Sequence, residues 1–242
     1  SIPAAAIATR KGVCLYAIDR NDEAEIAIAI GLPVLEKAGE PYAFDVSQAR
    51  LTLGHLAYAR SDYAAAARQY RTALDGRTGL GRLEILGRLA RATTFDGTAE
   101  SLGAADEALK ILAAQPTPDK DVLAAFHTLR ARTLLNQGKA PEAYAELKQA
   151  LKLSGGLTSK TTLSEVAMRS DLAMAAMLVG RKDDARLYLA YTGAGRIQES
   201  PFVYAQSMDP PPCSGETGLR PDDVAVVEFA IGDDEAQFGV DQ

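Results

Sequence analysis

Arg88 and Arg91 stand three residues apart, so a helix through them would put both guanidinium groups on one face. Arginine carries a rigid fork of donors that grips a carboxylate through two parallel hydrogen bonds, which suits the pair to holding an acidic group. Nothing beside them suggests covalent chemistry. The two histidines, His55 and His127, have no Cys, His or carboxylate at metal-ligand spacing. Cys14 has no neighbouring base to draw off its proton and reads as a small buried hydrophobe. The nucleophile elbow, the phosphate loop and the His-Glu-x-x-His pair are all missing. Gly155-Gly156-Leu157-Thr158-Ser159-Lys160 is glycine-rich without the Gly-Lys-Ser/Thr ending, and reads as a loop. Asp183 and Asp184 could form an acid pair, but two acids suit a helix N-terminus better. The chemistry on offer is binding without catalysis, with no cofactor and no metal.

The bulk composition agrees. The chain has 242 residues, 47% hydrophobic and 24% charged, with few aromatics and no Trp, as expected of a globular protein with a real core. Alanine is over-used, which favours closely packed helices. A net charge of −6 argues against a nucleic-acid binder and against a polybasic membrane-surface protein. No apolar run approaches the ~18–20 residues of a membrane span. The charge is uneven: residues 201–242 hold nine acids against one base, so that segment carries −8 and the first 200 residues +2. That asymmetry marks a boundary.

The elements that must position the arginines come from a repeat. Leu53-Gly54, Ala57, Asp62-Tyr63, Ala66, Tyr70 and Ala73-Leu74 form one copy. A second reads Leu86-Gly87, Ala90, Ala99 and Ala108-Leu109; a third Ala131, Leu134, Gly138, Ala143, Leu147 and Ala150-Leu151; a fourth Leu172-Ala173, Ala176, Gly180, Ala185 and Leu189. Two antiparallel helices cross closely only where side chains are small. Gly54, Gly87, Ala131 and Ala173 are the expected crossing sites on the first helices, faced by Ala66, Ala99, Ala143 and Ala185 on the second. Tyr70, Leu147 and Leu189 are expected to fill the space between hairpins. Gly138 suits a left-handed helix cap and Pro141 the first turn of the next helix.

This pattern resembles the tetratricopeptide repeat over about residues 44–194. The small first-helix residue recurs after 33, 44 and 42 residues (54, 87, 131, 173), against a usual period of 34 in that family, and the Trp often found early in the repeat is absent. Upstream, Lys11–Arg20 and Asp22–Glu36 read as one more, degenerate, hairpin. The expected fold is therefore an all-α solenoid of four tetratricopeptide-like hairpins plus that N-terminal one, over residues 1–196. In such arrays the first helices line a concave groove that grips an extended peptide. The resemblance places His55 and Tyr58 of the first copy, Arg88 and Arg91 of the second, Arg132 and Asn136 of the third, and Met174 and Met177 of the fourth on that face. It implies a non-enzymatic scaffold whose partner is another protein or an acidic, extended peptide.

Residues 197–242 form the second region, a proline-containing linker and an acidic tail. Pro210-Pro211-Pro212 lies in the linker; Val224–Ile231 alternates apolar residues as a strand does, and Ala236–Val240 can return antiparallel to it. About residues 210–240 resemble the opening of a TonB-type energy-transducer C-terminal domain, which implies an accessory or transducer role in a bacterial envelope and a periplasmic location, with the cytoplasm as the alternative. The tail's acids and apolar strand face also fit it to fold back onto the arginine-bearing groove. Cys14 and Cys213 are expected as two free thiols.

Overall fold

The computed structural model describes residues 1–96, 99–158, 161–193, 229–231 and 236–238. The chain divides into two units, Ser1–Arg196 and Ile197–Gln242. In the first unit, the described residues form five consecutive helical hairpins: α1 (Ile2–Ala17) with α2 (Asn21–Ala38), α3 (Ala43–Ala59) with α4 (Tyr63–Ala73), α5 (Leu83–Thr93) with α6 (Glu100–Ala113), α7 (Lys120–Asn136) with α8 (Ala140–Leu153), and α9 (Leu163–Leu178) with α10 (Lys182–Ala190). Each hairpin packs on the next through α2–α3, α4–α5, α6–α7 and α8–α9, and first helices also touch, α1 on α3, α5 on α7 and α7 on α9. This is an all-α solenoid of tetratricopeptide-like hairpins.

Two local features repeat and explain it. The first is the turn. In four hairpins the first helix ends on a residue with positive φ: Asp19, Ser61, Gly138 and Gly180. The next amide then reaches back to the carbonyl five residues earlier: Arg20 to Leu15, Asp62 to Ala57, Lys139 to Leu134 and Arg181 to Ala176, at 2.8–3.0 Å. These bonds satisfy helix-end carbonyls that would otherwise be orphaned. Glycine takes the left-handed conformation freely; Asp19 and Ser61 take it against a Cβ penalty. Pro141 takes the first turn of α8 as the sequence suggests, and at the start of α4 the Asp62 carboxylate accepts from the Ala65 amide.

The second feature is the close crossing, seven residues before each of those turns. Gly54, Ala131 and Ala173 sit there, and Ala66, Ala143 and Ala185, twelve residues on, are buried in the facing helices. The N-terminal hairpin obeys the same spacing. Gly12 faces Ala24, a Cβ on Gly12 would lie 2.8 Å from the Ala24 carbonyl oxygen, and Ile28 is buried where the other copies place Tyr70 and Leu147. Gly54 lies against the ring of Tyr70, 2.4 Å from where its own Cβ would stand.

Four expected packing residues are corrected. In the second copy Gly87 is half-buried with room for a methyl beside Phe126, and Ala99 is exposed before the first turn of α6. The contact is made instead by fully buried Ala90 and Ser101, whose hydroxyl donates to the Ala90 carbonyl at 2.9 Å. In α10, Leu189 is 48% exposed and Tyr188 is buried in its stead. Cys14 is a free thiol on the exposed side of α1, not a buried hydrophobe, because Gly12 and Leu15 take the inward positions.

In the second unit, β1 (Phe229–Ile231) pairs antiparallel with β2 (Ala236–Phe238) in the register Phe229–Phe238, Ala230–Gln237, Ile231–Ala236. The prolines, Cys213, the rest of the expected strands and the expected fold-back lie outside the described residues. Among the described residues no helix is long and apolar enough to cross a membrane.

The crossings give a prediction with two signs. A Cβ on Gly31 of α2 would fall 2.3 Å from the Ala5 carbonyl oxygen, so Gly31→Ala forces α1 and α2 apart and should lower stability by about 1–3 kcal/mol. Gly103 of α6 has nothing within 4 Å, so Gly103→Ala should raise stability by about 0.5–1 kcal/mol. Urea unfolding of the two variants checks the pair; a stabilised Gly31→Ala protein would contradict the packing.

Candidate peptide-binding groove

Three first helices, α5, α7 and α9, border a groove of about 970 Å³. Helix α5 and its C-terminal turn contribute Arg91, Thr94 and Phe95; α7 contributes Thr128, Arg132 and Asn136 among others; α9 contributes Glu165, Asp171 and Met174; Tyr58 stands at the α3 side. The heptad-like spacing of Thr128, Arg132 and Leu135 presents successive turns of α7 to the same space.

Five of the eight residues expected on this face line the groove: Tyr58, Arg91, Arg132, Asn136 and Met174. Arg132 donates through Nε to Asp171 Oδ2 at 2.6 Å, which joins α7 to α9 and occupies one side of its fork. Asn136 donates to the Thr94 carbonyl at 3.1 Å and joins α7 to the end of α5. Arg91 is exposed and makes no ion pair among the described residues. Arg88, one turn earlier, is likewise exposed, and Met177 is exposed on α9, but neither lines the groove.

His55 does not line the groove either. It is held between Tyr16 and Tyr70, with ring centroids 5.6 and 5.8 Å away, and its Nε2 is buried with no hydrogen-bond partner. Burial depresses its pKa, the Arg88 charge adds to the depression, and Glu84 opposes it. The Tyr70 hydroxyl is also buried without a partner, and burial pushes its pKa to about 12. Together these groups form a neutral aromatic plug where α1, α3 and α4 meet, a packing role for His55.

The walls are tied by polar contacts that link distant sequence positions. Ser101 and Thr133 share a 2.6 Å hydroxyl contact between α6 and α7. Arg130 of α7 donates to Asp106 of α6 and to Glu146 of α8, each at 2.7 Å, and His127 Nδ1 lies 2.7 Å from the same Glu146. The His127 hydrogen bond, and then the Arg130 charge, hold the Glu146 carboxyl below its usual range. At the far end stands Arg169, which the repeat pattern does not single out. It is fully buried, and its guanidinium donates to the carbonyls of Tyr191 (2.6 Å), Thr158 (3.0 Å) and Gly156 (3.3 Å). It thereby pins the glycine loop and the end of α10 to α9. The available signal is an arginine on the apolar stripe of α9, between Met168 and Leu172.

The acids at 183 and 184 part company. Asp183 is solvent-exposed, while Asp184 accepts from Tyr144 at 2.8 Å and from Arg181 at 2.5 Å. Among the described residues no three of His, Cys, Asp or Glu gather as a metal site. The groove offers hydrogen-bonding side chains, the Arg91 guanidinium with no ion pair among the described residues, and apolar contact from Met174 and Phe95.

No protein-family model matches the chain, and no curated protein matches it. Among solved structures it is similar to a thermophilic tetratricopeptide-repeat protein of Thermus thermophilus, at 23% identity over 78% of this chain and 90% of that one, with a TM-score of 0.44. The TonB-type resemblance of residues 210–240 finds no support in these comparisons.

The buried histidine has a pH consequence. A depressed pKa means the folded chain binds that proton more weakly than the unfolded chain does. Stability is then complete above the unfolded histidine value of about 6.5 and is lost as pH falls below it. Urea midpoints measured from about pH 8 to about pH 5 should fall for the wild type and fall less for His55→Phe. Equal slopes for the two proteins would contradict the plug.

Proposed function

We propose that the chain is a non-enzymatic protein-interaction scaffold that holds an extended segment of a partner protein in the α5–α7–α9 groove. The observation that carries this reading is the state of the polar groups there. Arg132 and Asn136 are already fastened by Asp171 and the Thr94 carbonyl, while Arg91 is exposed and unpaired at the rim among the described residues. Side chains held in place before binding lose little entropy on contact, which is what a peptide site needs.

The dimensions set the ligand. Two helix spacings of about 8–10 Å separate α5 from α9, which an extended chain at about 3.3 Å per residue covers with five or six residues. The charges set its direction. Arg91, with Arg88 a turn away, favours a carboxylate over α5, whereas Glu165 and Asp171 on α9 disfavour one there. The segment therefore carries its acid over α5 and neutral or apolar residues toward Met174. Of the three arginines expected on this face, Arg88 lies outside the groove lining and Arg132 is engaged by Asp171, which leaves Arg91 as the guanidinium without an ion pair among the described residues.

A display library of random peptides, selected against the full chain, tests this. Acidic extended sequences should be enriched, and Arg91→Glu should weaken the selected binders about tenfold or more, as loss of a charged hydrogen bond does. Binders indifferent to Arg91→Glu, or a library that yields none, would count against the groove.

A further inference from the structure

Helix α2 is apolar on two opposite sides. Ala24, Ile28, Leu32 and Leu35 are buried, and the helix packs on α1 and α3. On the other side, steps of three and four residues align Asp22, Ile26, Ala29, Ile30, Pro33 and Lys37 in one exposed row. Ile26 is 63% and Ile30 66% exposed. A surface helix ordinarily turns polar residues outward, and one that is apolar all round has company on both sides. Four consecutive positions of this row are apolar instead.

The row is self-complementary. Its charges stand at its two ends, acid at Asp22 and base at Lys37, about 22 Å apart along the helix, with Ala29 and Ile30 midway. A two-fold axis through that midpoint lays two α2 helices antiparallel. Each Asp22 then faces the Lys37 of the second copy, Ile26 faces Pro33, and small Ala29 lets the helices close on Ile30. The parallel arrangement would set Asp22 against Asp22 and Lys37 against Lys37. Both end charges are available: the Asp22 side chain is 96% exposed with one contact at 3.9 Å, to Arg60, and Lys37 has no ion pair among the described residues. We infer that the outer face of α2 binds a second copy of this chain, antiparallel about a two-fold axis near Ala29 and Ile30. An isologous contact of this kind closes on itself and stops at two. The groove, built on α5, α7 and α9, stays open in each copy.

Sedimentation velocity of the full chain from about 1 to about 200 µM tests this, since self-association follows concentration. The mass should rise from the monomer's 25.6 kDa toward twice that value and no further. Ile30→Glu should weaken the pairing at least about tenfold while leaving the helical signal unchanged and, at concentrations where both proteins are monomeric, the melting temperature unchanged as well, because Ile30 faces solvent in the monomer. Asp22→Lys and Lys37→Glu should each weaken it, and the double charge swap should restore it, which a merely sticky apolar face would not do. A chain that stays at 25.6 kDa throughout, a swap that fails to restore pairing, or growth into larger open assemblies would each overturn the inference.

Discussion

Everything in the helical unit depends on how closely the two helices of each hairpin cross. At four crossings the contact residue is Gly or Ala, with its partner twelve residues on, and the turn that reverses the chain follows seven residues after the first. Backbones can approach this closely only where Cβ atoms are few, and the approach fixes the spacing at which one hairpin meets the next. The third hairpin, α5 with α6, keeps the contact by other means, through the Ser101 hydroxyl on the Ala90 carbonyl. That hydroxyl also touches Thr133 of α7, so one buried serine joins the hairpin to its neighbour. Leaving it unpaired would cost the desolvation of a buried donor, which keeps α6 in register beneath the groove.

The groove follows from that spacing. First helices come together on one side, and each brings a polar side chain to a place where the next can reach it. Arg132 and Asp171, or Asn136 and the Thr94 carbonyl, belong to different hairpins, so these contacts exist only when the stack is correct. A partially buried pair of this kind contributes modestly to stability but holds direction well. Arg91 lacks such a partner among the described residues, and that difference gives the groove its polarity.

Much of this is legible in the sequence, and the exceptions are instructive. Small residues at fixed spacing, Gly138 and Pro141 at a turn, and Asp62 as a cap identify hairpins because each acts locally. The N-terminal copy looks degenerate because Gly31 stands where the first and third copies have Ala73 and Ala150, although Gly12 and Ala24 keep the twelve-residue spacing. The α5–α6 copy invites misalignment because Leu86-Gly87 mimics the motif three residues ahead of the true crossing at Ala90. Leu189 loses its inward place to Tyr188 in α10, whose hydroxyl meets that of Tyr144 and whose helix has no following hairpin among the described residues to hold the usual register. Contacts over long separations are not legible at all. The sequence offers Arg132 as a free cation because Asp171 lies 39 residues away. Likewise His55 reads as a groove residue until Tyr16 and Tyr70 close around it.

The central claim is that the surface lined by α5, α7 and α9 is where a partner segment lies. The most direct measurement is photo-crosslinking from a selected peptide carrying a reactive group at successive positions, with adducts mapped by mass spectrometry. Adducts should fall on Tyr58, on α5 near Arg91, on α7 between Thr128 and Asn136, and on α9 between Glu165 and Met174, shifting from α5 toward α9 as the group moves away from the peptide's acidic end. Adducts concentrated on the second helices α2, α4, α6 or α8 would contradict the account.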